Sequence, residues 1–334
     1  MSGSSRPRRF LAASACCALA AGLAWLPAGP ASAQVKFQFA ASASAEVSSS
    51  CTLTSGDPSV SSATPILTHG KRNRSVAMDA TFTATGDSTD TVHATGHISG
   101  TVAVSKKGPN LGKAVVTGSG AVALHNSKGT NTVCDPNATV SSNMEMLFSE
   151  GAKGWLYVQR STAFKAGASE VIVQTSSNKA VVFELYQGGP SHSSTRAFVK
   201  PGSFSAAMAV GVTAGQSIIL KSQPRNFVSM VFHKAGSALT GTKGAGRSFV
   251  AFPGSISCGA HRATLRWKSG AGHVAAGSFS VNGKHKASDG SPKAGERIVL
   301  KHLRSKADLK ITAKLRLKSG GTATATRQYV PCQG

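Results

Sequence analysis

Val92-His93-Ala94-Thr95-Gly96-His97-Ile98-Ser99-Gly100-Thr101-Val102-Ala103-Val104 is the stretch on which the fold reading turns. Val92, Ala94, Ile98, Val102 and Val104 share one parity, with polar side chains mostly between them. That period of two puts alternate residues on opposite faces of a β-strand. The same alternation precedes it at Val76, Met78, Ala80, Phe82 and Ala84, and follows it at Ala114, Val116, Val122 and Leu124. Between the three runs lie Gly86-Asp87-Ser88-Thr89-Asp90 and Lys107-Gly108-Pro109-Asn110-Leu111-Gly112, rich in the residues that reverse a chain. Three long strands joined by short turns predict an antiparallel meander within residues 34–140.

The pattern continues outward in shorter pieces. From Met144 it runs through Trp155–Val158, Val171–Val173, Val181–Tyr186, Phe204–Val212, Ile218–Leu220 and Phe227–Phe232, punctuated by Pro201-Gly202 and Ala214-Gly215. This spacing suits a β-sandwich over 141–243, a segment without cysteine that must rest on its core. Gly236–Gly246, rich in small residues, reads as a linker. In 244–334, Ala263, Leu265 and Trp267 alternate with Arg262, Thr264, Arg266 and Lys268. Phe279 and Val281 lead to Asn282-Gly283, the pair suited to a two-residue type I′ hairpin. Ile298–Leu300, Lys310–Lys318, a Ser319-Gly320-Gly321 turn and a strand ending at Cys332 complete the segment. The expected fold class is therefore all-β: three antiparallel sandwich or meander domains in tandem.

The 334 residues carry 37 Lys and Arg against 13 Asp and Glu, with 40% apolar residues. A chain of this length and apolar content can bury more than one core. Residues 1–33 combine Arg6-Pro7-Arg8-Arg9, an apolar run from Phe10 to Leu26 and a small-residue end at Ala31-Ser32-Ala33, the order of a secretory signal peptide. Cys16 and Cys17 fall inside that run. Export predicts a secreted protein associated with the cell wall, and no apolar run beyond residue 33 is long enough to span a membrane as a helix. Any attachment after Cys332-Gln333-Gly334 is expected to be non-covalent.

Four cysteines then remain, Cys51, Cys134, Cys258 and Cys332, in a compartment where disulfides persist. Their spacing favours pairing in sequence order, Cys51 with Cys134 and Cys258 with Cys332. Each crosslink contributes about 4 kcal/mol in the chain-entropy treatment. A four-thiolate metal site would want close Cys pairs, and there are none. No metal or cofactor is expected.

The segment from Cys258 to Cys332, with Val281-Asn282-Gly283-Lys284 and the closing Tyr329-Val330-Pro331-Cys332, resembles the immunoglobulin-like modules at the C-termini of secreted actinobacterial proteins. Around Pro201-Gly202-Ser203-Phe204 and Thr213-Ala214-Gly215 the middle segment is more faintly similar to a bacterial accessory β-sandwich. The resemblance implies an immunoglobulin-like last domain with a binding or spacer role, and brings no catalytic residues.

Positive charge rises along the chain. Residues 34–140 carry 8 cations and 6 anions, 141–243 carry 10 and 4, and 244–334 carry 16 and 3. In the strand beginning at Lys310, the cations Lys310, Lys314, Arg316 and Lys318 share one face, and Ile311, Ala313, Leu315 and Leu317 the other. With Arg262, Arg266 and Lys268 on a neighbouring strand of the same sheet, they would form a patch attracting an anionic cell-wall polymer or glycan by counterion release. The same pattern is also how an ordinary solvated sheet stays soluble. Sequence-specific nucleic-acid reading has no recognition-helix pattern behind it. The oligomeric state cannot be read.

Catalytic patterns are missing from the sequence. No GxSxG elbow occurs. Ser191-His192-Ser193 has no nearby acid, and Gly108–Lys113 is one residue short of a P-loop. On a strand, His93 and His97 stand about 13 Å apart, too far to share one ion. Asp87 and Asp90 suit turn capping better than Ca²⁺. Trp155, Tyr157 and Tyr186 could stack on a sugar, although Trp155 and Tyr157 share a parity that fits a core equally well. The expected protein is a non-catalytic binder. The alternatives are an extracellular hydrolase with a dispersed site and a structural spacer.

Overall fold

The computed structural model describes residues 35–333 apart from 109, 163–166, 178–179, 189–190, 216–218, 221–225 and 304–305. The expected signal peptide lies outside the described residues. Among these residues the chain is strand throughout, with three short 3₁₀ turns and no α-helix. Among the described residues no helix is long and apolar enough to cross a membrane.

Two compact units make up the chain. Unit 1 comprises the chain up to Gly151, Tyr157–Arg196 and Pro201–Val231, and unit 2 comprises Ala152–Leu156, Ala197–Lys200 and Phe232 onward. The first fourteen strands are β1 (Lys36–Glu46), β2 (Cys51–Asp57), β3 (Ser59–Ala63), β4 (Gly70–Ala84), β5 (Asp87–Lys107), β6 (Asn110–Asn126), β7 (Asn137–Glu150), β8 (Gly154–Thr162), β9 (Gly167–Thr175), β10 (Val181–Gly188), β11 (Ser191–Val199), β12 (Gly202–Gly215), β13 (Ile219–Leu220) and β14 (Asn226–Lys234). One sheet runs β10-β9-β12-β7-β1-β3. The other runs β11-β8-β14-β6-β5-β4-β2, with β13 also on β6.

The meander expected from the alternation is present as β4, β5 and β6, paired antiparallel throughout. Its apolar residues Met78, Ala80, Phe82, Val92, Ala94, Ile98, Val122 and Leu124 join Val140 and Val212 of the opposite sheet in one core. Glycines let the two sheets approach. A Cβ at Gly100 would lie 2.1 Å from Ser142 Oγ and 2.9 Å from the Phe39 ring, and one at Gly118 would lie 2.9 Å from Val210.

The expected boundary between 34–140 and 141–243 falls inside β7, and the strands are not grouped that way. β7 pairs with β1 on one side and β12 on the other, and β14 pairs with β6. Each sheet thus mixes strands from both expected domains. Period two reveals strands but not their neighbours, so two interleaved halves read as two domains.

Unit 2 contains β15 (Val250–Ala251), β16 (Ala263–Trp267), β17 (Val274–Val281), β18 (Lys284–Asp289), β19 (Arg297–Leu300), β20 (Leu309–Leu317) and β21 (Thr322–Tyr329). They form sheets β15-β16-β19 and β18-β17-β20-β21. Leu265 and Trp267 from the first sheet and Phe279, Ile311, Ala313 and Leu315 from the second fill one core, where each fully buried large apolar side chain contributes about 1.5–3 kcal/mol. Trp267, 1% exposed, meets Phe279 edge-on at 5.7 Å. The β17–β18 hairpin turns at Asn282 and Gly283 with φ of 49° and 81°, the positive values a type I′ turn requires.

The expected linker, Gly236–Gly246, is packed rather than loose. Ala238 bridges to Tyr329 and Lys243 to Thr326, and a Cβ on Gly236 would meet Cys258 Sγ at 2.7 Å. Small residues are needed there for close contact, which composition alone does not distinguish from flexibility. The disulfides join Cys51 to Cys134 and Cys258 to Cys332, the sequential pairing expected from the spacing. Beside the first, Asp90 (2% exposed) accepts hydrogen bonds from Thr132 Oγ1 (2.8 Å) and Val133 N (3.0 Å).

Candidate functional site

Unit 2 divides the seven expected polyanion-binding residues between its two sheets. Lys310, Lys314 and Arg316 stand exposed on β20 while Ile311, Ala313 and Leu315 point into the core. Lys318 is exposed just beyond the strand, and its amide donates to His273 O at 2.9 Å. Arg262, Arg266 and Lys268 are exposed in or beside β16. β16 pairs with β15 and β19, whereas β20 pairs with β17 and β21. Both strands turn their apolar residues toward the shared core, so their charged sides face away from each other. The single patch on adjacent strands expected from the sequence is therefore two separate faces, because alternation gives a residue's side but not its strand's neighbour.

The β20 face sets cations among hydroxyl groups. Lys314 lies between Thr324 of β21 and Ser278 of β17, Thr312 lies between Thr326 and Ser280, and Lys310 and Arg316 oppose Gln328 and Thr322. Asp289, the one acid in these four strands, directs its carboxyl at buried Trp267, whose Nε1 donates to Oδ2 at 2.7 Å. His285 is in hydrogen-bond contact with Ser278 and Ser288, each at 3.3 Å. Among the described residues none of Lys310, Lys314, Arg316 or Lys318 has an ion-pair partner.

On the opposite face Arg266 of β16 stands directly across from Arg297 of β19, both exposed. Arg297 was not among the expected residues, and only the register brings it there. Lys268 leaves this face, its ammonium donating to Arg247 O at 2.8 Å.

The remaining sequence candidates have structural surroundings. Trp155 is buried, donates through Nε1 to Pro331 O at 3.0 Å and meets Phe198 edge-on, so it offers no open stacking surface. Tyr157 receives a hydrogen bond from Arg196 Nη1 at 3.0 Å. The Tyr186 side chain and residues 189–190 lie outside the described residues, as does the Ser191 side chain. Ser193 Oγ accepts from Arg160 Nε. His93 Nε2 contacts Asp79 Oδ1 at 2.9 Å, and His93 faces His125 across β5 and β6. Asp87 caps its turn through Thr89 and pairs with Lys128, whose ammonium holds the Asp87 carboxyl well below the usual carboxylate range.

Fold and surface together describe a disulfide-bonded all-β protein with a cationic sandwich. No protein-family model and no curated protein sequence matches the chain. Among solved structures it is similar to the adhesin domain of Epf from Streptococcus pyogenes, with 9% identity over 70% of this chain and 79% of that one and a TM-score of 0.20. It is also similar to a GH2 β-galacturonidase from Eisenbergiella tayi, with 12% identity over 56% of this chain and 34% of that one and a TM-score of 0.18. For the Ruminococcus gnavus β-glucuronidase the identity is 11%, the coverage 57% and 36%, and the TM-score 0.17. The chain spans about a third of each glycosidase chain. Likeness at this level carries no argument about activity.

Proposed function

We propose that the protein is a secreted, non-catalytic binding protein of the cell envelope whose basic C-terminal unit holds an anionic polymer. The observation that carries this reading is the β20 face, where Lys310, Lys314 and Arg316 are exposed and have no ion-pair partner among the described residues. Along the strand the cations stand about 13 Å and 7 Å apart. That is a linear array suited to a linear polymer rather than to one small molecule. The surrounding Thr and Ser hydroxyls add neutral donors. Both disulfides are compatible with an extracellular location.

Binding of this kind releases counterions and weakens steeply with salt. Retention of the protein on heparin and on teichoic acid is the test, measured at several salt concentrations. With Lys310, Lys314 and Arg316 all changed to Glu, retention is expected to collapse and the salt dependence to flatten by about two units of log–log slope. Unchanged retention would remove the β20 face from the function.

A further inference from the structure

We propose that unit 2 carries a second site: an open cleft at the β15/β21 edge of the sandwich that takes a single oxyanion group, the phosphate or carboxylate of the same polymer. This deepens the reading above and rests on it for the source of the ligand.

The cleft has a volume of about 460 Å³ and is lined by Thr242, Arg247, Ser248, Lys268, Arg327, β15 and Phe252. Such a volume fits one phosphate or one sugar acid with its water. Both sheets contribute, because β15 and β21 are the edge strands of their respective sheets. Among the described residues three cations line it and no carboxylate does.

Two of these cations, Arg327 and Lys268, are held by backbone carbonyls. Arg327 has the inward parity of Ala323 and Ala325, yet its guanidinium ends at the sandwich edge, where Nε donates to Thr240 O (3.0 Å) and Nη1 to Phe252 O (3.2 Å). Those two bonds fix the plane of the fork and leave Nη2 without a bonded protein acceptor among the described residues. Lys268 is steered by its bond to Arg247 O, which leaves further ammonium protons for a ligand. Arg247 sits in the turn Ala245–Ser248, whose approach to β21 is fixed by glycine. A Cβ at Gly244 (φ 93°) would fall 2.2 Å from Thr324 O, and one at Gly246 2.9 Å from the Thr324 carbonyl carbon.

Two guanidinium groups and an ammonium lining one cleft repel one another, and an oxyanion bound among them relieves that repulsion. Guanidinium groups match the geometry of phosphate and carboxylate oxygens, so charge-assisted hydrogen bonds can form with either. Because the Arg327 and Lys268 donors are held before binding, the ordering cost falls mainly on Arg247. The cleft differs from the β20 face in kind: it seats one group, whereas the face follows a chain of them.

The test is calorimetric titration of the full protein with glycerol 3-phosphate and, separately, with glucuronate. Saturable binding of at least one probe is expected, and the stronger binder identifies the group. Arg247→Gln with Lys268→Gln keeps a donor at position 268 and is expected to weaken binding at least tenfold, with the thermal transition unchanged. Lys310→Gln with Lys314→Gln is expected to leave probe binding intact while lowering heparin and teichoic-acid retention. Arg327→Lys, with its fold checked by the same transition, is expected to weaken binding although charge is kept. No saturable binding of either probe, or binding unaffected by the Arg247/Lys268 pair, would overturn the proposal. Probe binding without polymer retention would leave the cleft standing and sink the polymer reading, while the reverse result would sink the cleft alone.

Discussion

At the scale of single residues, the most exposed consequence lies with Glu150. It ends β7 on the inward parity, is 2% exposed, and has one hydrogen bond, from Leu111 N at 3.2 Å, while its Oε2 has no partner. Burial pushes its carboxyl up to about 8, well above the ordinary glutamate range. The neutral form is the one the fold prefers, so its contribution is fully present below about pH 4.5 and is lost as pH rises through about 8. At about 1.4 kcal/mol per pKa unit the loss amounts to a few kcal/mol. Urea unfolding of the wild-type protein is therefore expected to show stability falling between pH 5 and 9. Glu150→Gln should flatten that slope, and an unchanged slope would assign the pH dependence elsewhere. Glu150 was legible in sequence only as one of four middle-segment acids. Its burial depends on the pairing of β7, which no local pattern encodes.

Among elements, the paired β16 and β19 set function against stability. Arg266 and Arg297 face one another directly, and like charges in that position destabilise a sheet. Arg297→Glu replaces the clash with an exposed opposite-charge pair and is expected to stabilise unit 2 by about 0.5–1 kcal/mol at low salt, less at high salt. Thermal melts at two salt concentrations measure it, and destabilisation at low salt would contradict it. Strand existence was the legible part of these elements: β4, β5 and β6 follow the alternation written in Val76–Leu124, and Gly96 and Gly100 complete it at inward positions where the opposite sheet leaves no room for a side chain. Register and sheet membership were not legible, because they depend on residues a hundred positions away. The place of Arg297 opposite Arg266, the turn of Lys268 toward Arg247 and the shared cleft of Arg247 and Arg327 all depend on such pairings.

For the whole molecule, the two halves of unit 1 are inseparable. A fragment of residues 34–140 keeps β2 to β6 but strips β1 of most of its β7 partner and exposes the inner face of the meander. Expressed alone and oxidised, it is expected to bind a hydrophobic dye and melt without a cooperative transition. A sharp two-state melt would instead restore the division at residue 140. The interleaving also bears on biogenesis. With β1 beside β7 and β6 beside β14, a polypeptide emerging from its N-terminus carries unsatisfied edges until residue 234 has appeared, and pairings of such long reach are slow to form. During that interval the nascent chain depends on escort, and its rate of elongation competes with self-association.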